Sequence, residues 1–371
     1  MSAVSPRTLL SQLVSIPSSS GSEGAIADFV SSLLAEHGVR AERLGHTLLA
    51  RTGRAGGPRF LLCSHLDTVP VGEGWTRDPL SGVWSGDRLY GRGANDAKAS
   101  VATMICAFLQ FLGSDLPGEL WLGLTECEET NNRGMAALLE HVGAPDGAVI
   151  GEPTGIDVVR AQSGLAVLKA QWSGSSCHAA HVARVEHRNA LLAAVRDAAS
   201  LPDYLLLPDA HPLLGKSTVV ATQLASGTRH NVVPDAAEMV FDARLAPPHS
   251  AAEVAALLRE RLPAAAISIR SERLRPFETP AEHPLVEAAL ATAGRGEASG
   301  SSTLSDMALL QGVPAIKCGP GLTARSHTPD EFVTLPELEA GAAFYSALVP
   351  RALQALAVAR AAAAKPHTSA L

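Results

Sequence analysis

Acidic and histidine side chains stand in short motifs at five places along the chain, each at the end of an apolar run or in a loop. The first is Ser64-His65-Leu66-Asp67, which closes an apolar run over 59–63. In extended backbone, residues two apart face the same way, so Asp67 can reach the His65 imidazole. A carboxylate behind a metal-bound histidine fixes its tautomer and raises its basicity. The plainer alternative is a strand-end histidine with an N-capping aspartate. The second motif, GRGANDAK over 91–98, has the outline of a dinucleotide fingerprint, but Asp96 stands where its last glycine is needed. Asp96 either caps a helix or uses the room left by the glycines to bridge metal ions. The third is Thr125-Glu126-Cys127-Glu128-Glu129. Adjacent carboxylates at a buried strand end are costly unless paired or bound to a cation. Neighbours in extended chain point opposite ways, so one can hold a metal while the next reaches a metal-bound water as general base. A solvated acidic loop is the alternative. Gly151-Glu152-Pro153-Thr154 and Ser326-His327-Thr328 complete the set. Nitrogen and oxygen donors without thiolates suit two zinc ions sharing one carboxylate. Such a pair, ~3.5–4 Å apart, lowers the pKa of a bridging water and clamps the oxyanion formed from an amide.

The elements that must position these groups are readable from periodicity. Residues 22–37 carry apolar side chains at helical spacing, with Ser22 as N-cap and Gly38 as the stop. Residues 59–63, 120–124 and 147–150 read as buried strands, 98–112 as a strongly apolar helix, and 71–91 as a hairpin and loop. Strands alternating with helices predict an α/β domain, a mainly parallel sheet with helices on both faces. Sheets of that kind place ligand sites at strand ends. After Gly155 the texture changes. Residues 165–172, 217–225 and 236–245 read as antiparallel strands, with helical segments over 187–200 and 250–262, an inserted α+β unit. The α/β pattern returns near residue 280, with a helix after His283, a strand over 314–317 and a final helix from Pro336. The last dozen residues, RAAAAKPHTSAL, are expected to fray.

The chain has 371 residues, enough for two domains, and 46% apolar content supports a core in each. A net charge of −7 without a basic stripe argues against nucleic acid and anionic membranes. Five scattered cysteines (63, 106, 127, 177 and 318), none paired at zinc-finger spacing, fit reduced thiols. The start lacks the pattern of a signal peptide and the apolar runs fall short of a membrane span, so a cytoplasmic protein is expected.

The stretches CSHLDTVP, YGRGANDAK, LTECEE, IGEPT, GTRHNVVPD, FDAR, GPG and SHTPDE follow one another from about residue 5 to 350. In that order they resemble the di-zinc family of acetylornithine deacetylases, succinyl-diaminopimelate desuccinylases, aminoacylases and glutamate carboxypeptidases. The resemblance implies a di-zinc exopeptidase-like catalytic domain from residues 1–158 and 275–371, with a lid and dimerisation domain over 159–274. It implies two Zn2+ per chain, with Co2+ able to substitute: His65 and Glu152 on one ion, Glu129 and His327 on the other, Asp96 between them. Asp67 would orient His65 and Glu128 would be the general base. His178 resembles a lid histidine that reaches the partner subunit's site to stabilise the oxyanion; a surface loop histidine is the alternative. Asn231 and Arg244 match positions that grip the substrate carboxylate, against a turn residue and a surface salt-bridge partner. Gly319 and Gly321 resemble a substrate-carboxylate loop, against a plain turn. Arg325 could meet a substrate carboxylate, against a solvated loop arginine.

Two departures stand out. The family has Asp and Gly around the Glu pair where this chain has Cys127 and Thr130. Its lid motif continues to Pro-His or Pro-Asp where Val182-Ala183 stands here, and His181 is left without a role. The texture of ASGTRHNVVPD, LRPFETPAEHPLV and GPGLTARSHTPDEF is closest to acetylornithine deacetylases. The implied partner is a small N-acyl amino acid: N-acetyl-L-ornithine first, N-acetyl- or N-succinyl-citrulline second, N-succinyl-diaminopimelate third. A serine hydrolase would need a Gly-x-Ser-x-Gly elbow, and GEASGS over 296–301 is out of register. A non-catalytic binding protein on the same fold would be expected to lack a ligand or the base, and all six positions are present.

Overall fold

The computed structural model describes residues 4–363. Their contacts divide into two units: residues up to Arg160 with Thr279–Ser299 and Ser305 onwards, and Ala161–Glu278 with Gly300–Leu304.

The first unit is built on a mixed sheet whose centre is parallel. Glu119–Thr125, Arg59–His65, Gly147–Ile150 and Ala315–Lys317 lie side by side in that order, all parallel. Thr47–Gly53 and Glu42–Leu44 add antiparallel strands beyond Glu119–Thr125, and Val159 pairs antiparallel with Lys317 at the other side. The central strands are apolar on both faces: Phe60, Leu61, Leu62 and Cys63 are all fully buried. Strands of this kind need helices on either side. Lys98–Gln110 is buried almost all round, which its unbroken KASVATMICAF sequence allows. It packs against Pro6–Val14 and the long helix Leu335–Ala363.

Leu335–Ala363 differs from expectation twice. It is long and apolar enough to cross a membrane by length and composition, but Leu338, Tyr345, Leu348, Val349 and Leu353 are fully buried in the core of this unit. It also remains helical to Ala363, so the first residues of the stretch expected to fray are ordered helix, and 364–371 lie outside the described residues. The helix Gly24–Glu36 starts later than expected: Glu23, not Ser22, occupies its N-cap.

The second unit is an antiparallel sheet in the order Leu205–His211, Gly215–Ser226, Ala236–Leu245, Gly164–Ser173, Ala266–Leu274. Alternation along Gly164–Ser173 buries Ala166, Leu168, Ala170 and Trp172 against the helices Ala190–Ala198 and Ala251–Arg261. Ser250 and Glu253 form a reciprocal cap on the second of these. The outer strands Leu205–His211 and Ala266–Leu274 were not legible in the sequence.

Candidate metal centre

Each of the five predicted ligand positions lies in the first unit, at the end of an element or in a loop beside one. His65 ends its strand, Glu128 and Glu129 follow Glu119–Thr125, and Glu152 follows Gly147–Ile150. Asp96 lies in the turn before helix Lys98–Gln110, joined to Ala97 by a cis peptide bond, and His327 lies beyond Ala315–Lys317 with φ +63°. The parallel register aligns the strand ends. Gly151 N donates to Cys63 O at 2.7 Å and Ser64 Oγ donates to Gly151 O at 2.9 Å, setting Glu152 beside His65.

These side chains converge. His65 Nε2 is 3.3 Å from Asp96 Oδ1 and 4.0 Å from Glu152 Oε1. His327 Nε2 is 2.9 Å from Glu129 Oε1 and 3.6 Å from Asp96 Oδ2. Asp96 thus presents one oxygen to each imidazole, the arrangement of a carboxylate shared between two ions. Donor atoms of His65, Glu128 and Glu152 also lie within 4.8 Å of one another, as do those of His65, Asp96 and Glu129. Two imidazoles and four carboxylates brought together, His65 and Asp96 buried and His327 exposed, fit divalent cations by their donor chemistry.

The electrostatics agree with that fit. Burial, then the nearby Asp96 charge, pushes Glu152 up to about 8. Burial likewise raises Glu128 well above the usual carboxylate range, with Glu152, Asp306 and Glu129 adding repulsion. At Asp96 burial acts upward, but hydrogen bonding to His65 overrides it and holds the carboxyl below its ordinary value. His65 rises despite burial because Asp67 and Asp96 hold its proton, and His327 rises because Glu129 accepts from it. Carboxylates crowded in a low-dielectric site lack positive charge, which a cation would supply.

Asp67 meets His65 differently from the expectation. The Asp67 backbone carbonyl accepts from His65 Nδ1 at 2.8 Å, and the carboxylate stands 3.5 Å away. That carboxylate accepts instead from Ser20 Oγ at 2.6 Å and from the backbone N–H groups of Glu128 at 2.9 Å and Glu129 at 3.1 Å. One residue therefore fixes both the His65 ring and the loop carrying the Glu pair.

Several positioning residues escaped the sequence reading. Glu331 Oε1 accepts from the backbone N–H groups of Asn95 and Asp96, each at 2.9 Å, while Oε2 receives Arg92 at 2.7 Å. Asn95 Oδ1 accepts from Leu322 N at 2.9 Å, and its Nδ2 donates to Leu322 O and Ser326 Oγ, tying the loop before His327 to the loop of Asp96. Asp306 accepts from Thr125 Oγ1 at 2.8 Å and Asn132 Nδ2 at 2.9 Å beneath the Glu pair. The one available signal was adjacency: Asn95 and Glu331 lie inside the quoted motifs.

Gly319 and Gly321 earn their place by crowding. A Cβ at Gly319 would stand 2.6 Å from Ser100 Oγ and 2.7 Å from Glu152 O; one at Gly321, where φ is +87°, would stand 2.2 Å from Asn95 Oδ1. Arg325 is not free for a substrate: its guanidinium pairs with Glu337 at 2.8 Å and lies 4.2 Å over the Phe332 ring. It holds the loop against the start of helix Leu335–Ala363. Cys127 turns away from the cluster toward Glu23, its Sγ 3.4 Å from Glu23 Oε1, and burial with that carboxylate pushes the thiol up to about 11. Thr130 Oγ1 turns back to Cys127 O at 3.5 Å.

His178, Asn231 and Arg244 belong to the second unit. His178 is exposed, accepts from Ala180 N at 3.1 Å and lies 5.5 Å, ring to ring, from His181. Asn231 O accepts from Ala179 N at 2.9 Å, so Asn231 and His178 sit on paired segments. Arg244 forms a two-pronged pair with Asp242, two residues earlier on its strand, at 2.8 and 3.2 Å.

The sequence profile of Peptidase family M20/M25/M40 matches residues 61–351. A succinyl-diaminopimelate desuccinylase of Methylorubrum populi is 31% identical, the alignment covering 95% of this chain and 99% of that one. An acetylornithine deacetylase of Erwinia tasmaniensis is 28% identical over 87% of this chain and 91% of that one. Among solved structures, the YXEP protein of Bacillus subtilis, described as a dinuclear metal binding peptidase from the M20 family, has a TM-score of 0.74 at 16% identity, covering 94% of this chain and 98% of that one. That structural likeness carries the fold.

Proposed function

The chain belongs to peptidase family M20/M25/M40, and from that premise we propose that it is a two-metal deacylase of small N-acyl amino acids. The observation that carries the reading is the shared carboxylate: Asp96 faces His65 with one oxygen and His327 with the other, and Glu128 stands beside them. His65 and Glu152 would hold one cation, Glu129 and His327 the other, and Asp96 both. When bound, the pair, Zn2+ with Co2+ able to replace it, supplies polarisation of the acyl carbonyl and acidification of a water. Glu128 accepts that water's proton as its oxygen attacks the carbonyl carbon. The C–N bond then breaks, and Glu128 delivers the proton to the leaving amine nitrogen. A carboxyl raised by burial suits this alternation between base and acid. Asp67 keeps the His65 ring and the Glu128 backbone in place.

In this reading residues 1–158 and 275–371 are the catalytic domain, and 159–274 a lid through which two chains pair in the cytoplasm. His178 would stabilise the oxyanion in the partner subunit's site, and Asn231 and Arg244 would grip the substrate carboxylate. Arg244 would exchange Asp242 for the substrate, which its two-pronged geometry suits. Gly319 and Gly321 would bring backbone close to that carboxylate.

N-acetyl-L-ornithine is the first substrate proposed. N-succinyl-L,L-diaminopimelate is the second reading, favoured by the 31% identity to the desuccinylase from Methylorubrum populi. Acyl-citrullines come next. Release of free amine from each, with zinc or cobalt and with chelator, tests both levels. Chelator-sensitive release from acetylornithine supports the first choice, and faster release from succinyl-diaminopimelate replaces it. No release from any N-acyl amino acid by the metal-loaded protein would overturn the deacylase reading.

A further inference from the structure

Glu126 opens the acidic segment and takes no part in the cluster around Asp96. One oxygen each of Glu23 and Glu126 and one imidazole nitrogen of His46 lie within 4.8 Å of one another, a group that shares no residue with that cluster. Glu23 is fully buried and Glu126 is 7% exposed. Glu23 Oε1 is satisfied by the backbone N–H groups of Gly21 at 2.9 Å and Cys127 at 3.0 Å. Its Oε2 is buried with no hydrogen-bond partner among the described residues. Glu126 Oε2 accepts from the backbone of His46 at 3.0 Å, and Oε1 from Arg133 Nε at 3.0 Å. Arg43 stands 3.3 Å from His46 Nδ1.

A buried carboxylate oxygen without a donor is rarely left so in a native protein, and a bound cation is one of its few satisfactory partners. We propose that Glu23, His46 and Glu126 form a further divalent-cation site, taking an ion of the Zn2+ class. One imidazole nitrogen with carboxylate oxygens is a donor set such an ion accepts, and water completes its coordination. The three residues come from different elements. Glu23 stands at the N-cap position of helix Gly24–Glu36, His46 lies in the turn between strands Glu42–Leu44 and Thr47–Gly53, and Glu126 follows strand Glu119–Thr125. An ion there would pin the segment that carries Glu128 and Glu129 from behind, a structural role distinct from the chemistry of the Asp96 cluster.

The test counts metal. Full-length protein is stripped with chelator, dialysed against Zn2+ and its zinc per chain measured by mass spectrometry, beside His46→Gln and Glu126→Gln. Each variant is expected to hold one zinc fewer than wild type and to show a smaller zinc-induced rise in Tm. In chelator their melting temperatures should stay close to wild type, which separates lost metal from lost fold. The difference reads this site alone, whatever the Asp96 cluster holds; Asp96→Ala should lose zinc from that cluster and keep the ion that His46→Gln removes. Equal zinc in wild type and both variants overturns the proposal.

Discussion

Single atoms decide most of what the cluster around Asp96 can do. Because Asp96 gives one oxygen to each histidine, Asp96→Asn should reduce zinc per chain while sparing the fold, as read by metal analysis beside a far-ultraviolet spectrum. Asp306 offers a test of charge. Burial first of all raises its carboxyl from 3.8 to about 6, so the folded protein favours the protonated form. A raised acid loses stability as pH climbs from the unfolded value through the folded one. Relative to Asp306→Asn, wild type in chelator should therefore lose about 2 kcal/mol of unfolding free energy between about pH 4 and 7. Urea unfolding at both pH values checks it, and a pH-independent difference would contradict it. The residues that converge were legible because each sits in a short motif, behind an apolar run or in a loop. Glu331, Asn95 and Asp306 were not, because they act through backbone amides and neighbouring side chains far away in sequence. Arg325 looked free for the same reason: its partner Glu337 belongs to the next helix.

Elements hold these atoms through contacts that patterns do not announce. Lys98, in the motif after Asp96, is fully buried and donates to the carbonyls of Leu13 at 3.0 Å and Ile16 at 2.8 Å, closing the C-terminal end of helix Pro6–Val14. Burial pulls its ammonium down to about 7. Lys98→Met removes both hydrogen bonds, leaving the Leu13 carbonyl only backbone N–H partners, and should cost about 1–3 kcal/mol, measured by urea unfolding. Gly321→Ala places a Cβ against Asn95 and strains a positive φ. It should lower turnover with little change in the far-ultraviolet spectrum, because the loop before His327 must shift. The buried parallel strands were readable as apolar runs. Leu205–His211 was hidden by Pro208, which demotes a strand signal, and Ala266–Leu274 by an exposed surface that removes alternation. Thr47–Gly53 buries its first four residues and exposes much of the rest, so neither period appears.

At the scale of the whole molecule, bound cations stabilise only the folded chain. Chelation should lower Tm by several degrees and reloading should restore it, following mass action. The dimer reading predicts twice the 38.4 kDa chain mass in sedimentation; a monomer that is fully active would remove the role given to His178. The α/β class and the antiparallel insertion were legible from the change of texture near Gly155. The joining of Gly300–Leu304 to the second unit was not, since a short segment chooses its neighbours by tertiary contact. In the proposed amide hydrolysis Glu128 moves the proton. The direct measurement is zinc content and amine release for Glu128→Gln on the best substrate. Unchanged zinc and fold with turnover lower by about 10²–10⁴ are expected. Near-normal turnover from the zinc-loaded variant would contradict that role.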